Sequence, residues 1–181
     1  KKWDDKNRNI AIILDSFSNY LETSGQHLEA FSKRQRALSI EEYHLGSTHP
    51  DLVVNLLSVA GNYTARHRYK DAIPLAKRAV DITKKTHGEF SSWMVNPLNS
   101  LALNYRYLGQ HIKAEKIFTQ AIDIGEREFG VNDYRIAPIL GNLALIYSDR
   151  GEIIKALELS KRELSIMEKK YGPKHHYLVV T

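Results

Sequence analysis

The sequence predicts an all-α fold: a right-handed superhelical solenoid of antiparallel helix pairs. Three observations carry that prediction. Identical residues recur at one fixed spacing along most of the chain. Each recurrence contains two segments with apolar residues three and four positions apart, the mark of a one-faced helix. Glycines stand at matching places between and after those segments, where helices must turn or stop. Hydrophobic residues make up 43% of the 181, enough to form a core.

The spacing is 42 residues. Gly46, Gly88, Gly130 and Gly172 lie on it, as do Leu14, Leu56, Leu98 and Leu140. So do Ala30, Ala72, Ala114 and Ala156, and Ile40, Ile82, Ile124 and Ile166. Tyr63, Tyr105 and Tyr147 match one another, with Leu21 in their place in the first copy. The chain therefore divides into a flank (1–8), a divergent first repeat (9–46), repeats 47–88, 89–130 and 131–172, and the start of a possible fifth (173–181).

The third copy shows how one repeat is built. Leu98, Leu101, Ala102, Tyr105 and Leu108 place one apolar face on a first helix, and Gly109-Gln110 interrupts it. Ala114, Ile117, Phe118, Ala121, Ile122 and Ile124 form the second helix, and Gly130 ends it in an expected left-handed conformation. The turn column reads Gly25, His67, Gly109 and Gly151, so the turn at His67 is expected to be relaxed or absent. Pro97 and Pro138 fall in first turns, where a missing N–H costs little, whereas Pro74 lies deeper and is expected to bend its helix. The alanine column lets the paired helices approach closely. The end copies depart most: Asp15, Ser16 and Ser18 interrupt the first, and Glu163 replaces the alanine seen at Ala121. An apolar stacking face is expected at the C-terminal end.

These residues resemble the tetratricopeptide repeat in its 42-residue, kinesin-light-chain-like form. The pattern is carried by Leu98, Leu101-Ala102, Tyr105, Gly109, Ala114 and Ala121, by "HPD" at His49 to Asp51, and by "AIPLAKRA" at Ala72 to Ala79. The resemblance covers roughly residues 9–172. It implies a protein-interaction scaffold whose first helices line a concave groove.

Composition narrows the alternatives. The chain has no cysteine, which excludes disulfides and thiolate chemistry and fits a reducing, cytoplasmic setting. No apolar run is long enough to span a membrane. The formal charge of +5 arises at the two ends, 1–8 and 161–174, while the stretch between is balanced. That placement argues against a nucleic-acid surface, which needs a basic stripe on its working face. No phosphate loop, metalloprotease helix or nucleophile elbow is present. The eight histidines are scattered at turns and surfaces. The expectation is therefore no enzyme, no metal and no cofactor.

What remains is a polar face on the first helices. Positions off the apolar stripe include Asn55, Ser58, Asn62, Asn96, Asn99, Ser100, Asn104, Tyr107, Asn142 and Ser148. Asparagine is a mediocre helix former, and its amide can both donate to and accept from a peptide backbone. Arg106 also lies off the stripe, and the resemblance places Asn99 and Asn142 facing inward with Arg66 and Arg106 at the groove edge, where arginine can pair with a carboxylate. The tyrosine column reads instead as packing. The partner expected is a protein or peptide held in the groove. Two other uses stay open: a regulatory region making intramolecular contacts with an effector domain of a larger protein, and end-to-end self-association. Nucleic-acid binding through the basic ends is the weakest.

Overall fold

The computed structural model describes residues 7–173. The segments 1–6 and 174–181 lie outside it, and with them most of the expected fifth repeat. The chain forms two compact bodies, one up to Thr86 and one from His87 onward.

The first body holds α1 (Arg8–Thr23), α2 (His27–Leu45), α3 (Leu52–Ala65) and nearly all of α4 (Tyr69–His87). In the second, a short 3-10 turn (Ser92–Met94) leads into α5 (Val95–Tyr107), α6 (His111–Phe129), α7 (Ala137–Asp149) and α8 (Ile153–Tyr171). The second helices α2, α4, α6 and α8 start 42 residues apart and each has 19 residues. Local chemistry sets the ends. The Asn7 side chain accepts the Asn9 N–H at 2.9 Å and caps α1. Lys169 and Lys170 sit in the last turn of α8, facing its negative pole.

Helices pair as neighbours: α1 on α2, α5 on α6 and α7 on α8, with α2 also meeting α3 and α6 meeting α7. Ala30, Ala72 and Ala114 have no exposed surface, as close helix crossing requires. Among the described residues the first body has two apolar clusters. Ala11, Leu14, Ala37 and Ile40 form one, and Phe31, Leu38, Leu52, Leu56, Val59, Ala79 and Ile82 the other. In the second body Phe118, Ile136, Ile139, Leu140 and Ile146 are among the large buried side chains. Gly125 of α6 is there for contact: a Cβ on it would lie 2.5 Å from Cγ2 of Ile136. A mid-helix glycine costs about 1 kcal/mol against alanine, and the close seat of Ile136 offsets it.

Each body also ties its second helices together in the same register. In the first, the Arg78 guanidinium on α4 bonds the Glu42 carboxylate of α2 and, through Nε, the Ser47 carbonyl at 2.8 Å. In the second, Arg162 on α8 bonds Glu126 of α6 and the Val131 carbonyl, each at 2.5 Å. Arg162 follows Arg78, and Glu126 follows Glu42, by two repeat lengths.

Two expectations are corrected. His67 keeps the turn, adopting φ +57° where Gly25, Gly109 and Gly151 have +79°, +70° and +75°. Its Nδ1 lies 2.7 Å from the Tyr69 hydroxyl, a local contact that accompanies the left-handed backbone. Gly130 is not left-handed helical: its φ is 98° but its ψ is 152°, a region open essentially to glycine alone. Its N–H completes the helix by bonding the Glu126 carbonyl, after which the chain swings outward. Gly46 and Gly172 do the same.

Candidate functional site

In the first body the expected residues lie on and just after α3. The Asn55 amide is engaged by the Glu41 carboxylate of α2. Asn62 turns its amide back on its own helix and donates to the Ser58 carbonyl at 3.1 Å. Arg66 donates to the His27 carbonyl and lies 4.3 Å from the Phe31 ring centre. Ser58, Asn62 and Arg66 line one pocket of about 580 Å³.

The sequence did not point to the pocket's other wall, Glu22, His27 and Arg34. Arg34 is nearly buried, its side chain 7% exposed. Nη1 donates to Glu22 Oε1 at 2.9 Å, Nη2 to Asn19 Oδ1 at 2.5 Å, and Nε lies 3.7 Å from the Asp15 carboxylate without a hydrogen bond. A buried guanidinium needs such partners, since isolation in the core would cost several kcal/mol. The signal was Asp15 and Glu22, three and four residues either side of Ser18 and aligned on one face of α1.

In the second body α5 and α7 carry the rest. Asn142 Nδ2 donates to Asn99 Oδ1 at 3.3 Å, joining two successive first helices. Asn104, expected on the polar face, is buried, and its amide donates to the Ser100 carbonyl at 2.8 Å. The 42-residue shift takes Asn104 onto Ile146, which is also fully buried, so in the second body this position belongs to the core. The Arg106 side chain is 15% exposed and its Nε lies 3.7 Å from the Asp149 carboxylate, with no hydrogen-bond partner. Its guanidinium is 5.3 Å from the ring centre of the exposed Tyr107. Ser148 is exposed beside Asp149. Asn96 goes elsewhere, lining a recess of about 360 Å³ with Phe129, Tyr134 and Arg135.

The tyrosine column packs. Tyr63 meets Phe31 edge-on at 4.8 Å, and the Tyr147 hydroxyl donates to Glu115 at 2.9 Å. Burial, then the bond to Glu115, raises the Tyr147 pKa above the ordinary phenol value. Among the described residues no group of three or more His, Asp or Glu could hold a metal, and no helix is long and apolar enough to cross a membrane. The arrangement offers amides, hydroxyls and a guanidinium on helix faces.

The tetratricopeptide-repeat pattern matches residues 52–127 and 93–169. The chain belongs to the tetratricopeptide-repeat family. Such repeats are commonly protein-interaction scaffolds. BtubC (BKLC) from P. vanneervenii is 17% identical with a TM-score of 0.77, over 92% of this chain and 66% of that one. A Podosopora anserina chain described as a kinesin light chain with nearly identical TPR-like repeats is 21% identical with a TM-score of 0.78, over 93% and 80%. The apo form of RapI is 18% identical with a TM-score of 0.77, over 91% and 58%. At these identities the likeness establishes the shared solenoid fold. No curated protein matches the chain.

Proposed function

We propose that this chain is a non-catalytic, cytoplasmic interaction module whose first helices hold a peptide or helical segment of a partner protein. The blocks 9–46, 47–88, 89–130 and 131–172 act as its units, each contributing one first helix. The observation that carries this reading is the polar face of α5 and α7. There Asn99, Asn142 and Arg106 are half-buried and held in place by one another or by Asp149. Side chains held this way lose little entropy when they bind, which favours recognition. Arg106 suits a carboxylate on the partner and the asparagines suit its backbone amides. A single short peptide held so would bind with a Kd of roughly micromolar order, about −8 kcal/mol.

The test compares the wild-type chain with the triple variant Asn99→Ala, Arg106→Ala, Asn142→Ala as bait, with helix content checked by circular dichroism. A partner retained by the wild type and lost by the folded variant supports the reading. Equal capture by both removes it.

A further inference from the structure

Among the described residues three helices carry a glycine inside them, and a neighbour explains two of the three. A Cβ on Gly125 of α6 would lie 2.5 Å from Ile136, and one on Gly141 of α7 would lie 2.5 Å from Glu163 Oε2. Gly61, inside α3, is different: nothing lies within 4 Å of where its Cβ would be. Such a glycine costs a helix about 1 kcal/mol against alanine, and no close contact offsets it here. The same column in the second body holds Leu103 and Leu145. One turn further on, Ala65 stands where the second body has Tyr107 and Asp149. Two adjacent places on α3 have thus lost their large side chains. Both places form wall of the recess of about 580 Å³ that Glu22 and Arg34 close from the other side.

The charge of this recess is also unfinished. Arg66, in its wall, is the counterpart of Arg150 two repeats on. Arg150 pairs with Glu115 and Glu152. Those two columns hold Phe31 and Arg68 in the first body. Arg66 therefore lies on the Phe31 ring and bonds the His27 carbonyl, and among the described residues it meets no carboxylate. Glu22 does not serve it, being engaged by Arg34. Two guanidiniums against one carboxylate line the recess, so one positive charge is left over.

We infer that this recess is a side-chain pocket for a protein partner. It takes an aliphatic side chain of leucine size against Gly61 and Ala65, and an aspartate or glutamate beside that residue in the partner pairs with Arg66. The partner supplies from outside what the second body writes into its own helices: a leucine at the vacated column and a carboxylate on the arginine. The inference rests on the reading that the first helices hold a partner segment, and it adds what that segment carries.

Fluorescence anisotropy with the full 181-residue chain tests it. The probes are fluorescein-labelled, C-terminally amidated peptides in which a central Asp-Leu-Asp is flanked by Gly-Ser-Gly on either side. Saturable binding of this peptide is expected. Replacing its leucine by serine should weaken binding about tenfold or more, the worth of burying that side chain. Replacing both aspartates by asparagine should weaken it severalfold. On the protein, Gly61→Leu fills the space without removing any polar group and favours the helix. It should abolish binding while the melting temperature holds or rises. Arg66→Gln should weaken binding and also erase the preference for aspartate over asparagine. The inference is overturned if the wild type shows no saturable binding, or if the serine peptide binds as well as the leucine one. Binding that survives Gly61→Leu, or an aspartate preference that survives Arg66→Gln, overturns it too. The groove reading is judged separately, by partner capture with substitutions in the second body. Failure here with that capture intact removes the pocket alone.

Discussion

One column of the repeat is filled with opposite chemistry in the two bodies. In the first it holds Arg34, buried and tied to Glu22 and Asn19. In the second it holds Phe118, fully buried. Three copies of this column, Arg34, Ala76 and Phe118, are buried whatever their polarity, while the fourth, Ser160, is exposed. The polar choice has consequences elsewhere: Asp15, Asn19 and Glu22 all lie on α1, and they account for much of why that helix departs from the pattern. The apolar choice asks nothing of its partner helix except space.

The sharpest test of that contrast is truncation at the shared column. Phe118→Ala should lose about 3–5 kcal/mol, since it removes a ring and leaves a cavity. Urea denaturation followed by circular dichroism would show it, and a loss under 1 kcal/mol would mean the second body repacks freely. Next comes the polar network. Glu22→Ala should destabilise by roughly 1–3 kcal/mol, because it strips the guanidinium of a charged hydrogen bond while leaving it buried. Arg34→Phe, which copies the second body's solution, should cost less than Glu22→Ala. If it costs more, the network is shaped by the first body's packing as well as by its charge.

A smaller effect separates the alanine column from its exception. Glu163 takes the place of Ala37, Ala79 and Ala121, and Gly141 makes room for it: a Cβ there would sit 2.5 Å from Glu163 Oε2. Burial pushes the Glu163 pKa above the usual carboxylate value. A raised carboxyl favours the folded state below its unfolded pKa, and that contribution fades as pH rises through the folded pKa. Thermal melts of Glu163→Gln should therefore show a gain over wild type at pH 7 that shrinks by pH 4. An equal gain at both values would place the cause in packing rather than in charge.

The smallest expected change is at the turn. His67→Gly relieves a positive φ that a side chain tolerates poorly, at the expense of a floppier unfolded chain. The net gain should be at most about 1 kcal/mol, readable as a small rise in the urea midpoint. A clear loss would show that the contact of His67 with Tyr69 outweighs the strain.

Features that repeat every 42 residues were legible in the sequence, because each is stated several times. The helix pairs, the glycine turns and the buried alanines are of this kind, whereas the turn kept at His67, where the column breaks, was not. Features that occur once were not. Arg34 finds Glu22 twelve residues away and Asn19 fifteen away, and no other copy carries that set. The Glu163–Gly141 fit likewise needs two departures that only the fold brings together. The site was legible as a set of residue types on the first helices, and less so as geometry. Helical spacing marked Asn62 and Asn104 as polar-face positions, yet both spend their amides on carbonyls four residues earlier. A side chain that bonds its own helix leaves no trace in the pattern.

The closing glycines set how the chain could grow. At Gly46, Gly130 and Gly172 the backbone leaves the helix through a conformation other residues avoid, with nothing within 4 Å of where a Cβ would be. Each is a joint between blocks of fixed phase. One residue added inside a helix turns everything after it by about 100° and puts every later column out of step. A whole block of 42 spliced at a joint leaves all columns aligned and adds one more first helix. Change of length in this architecture is therefore quantised, tolerated in full blocks and punished in fractions of one.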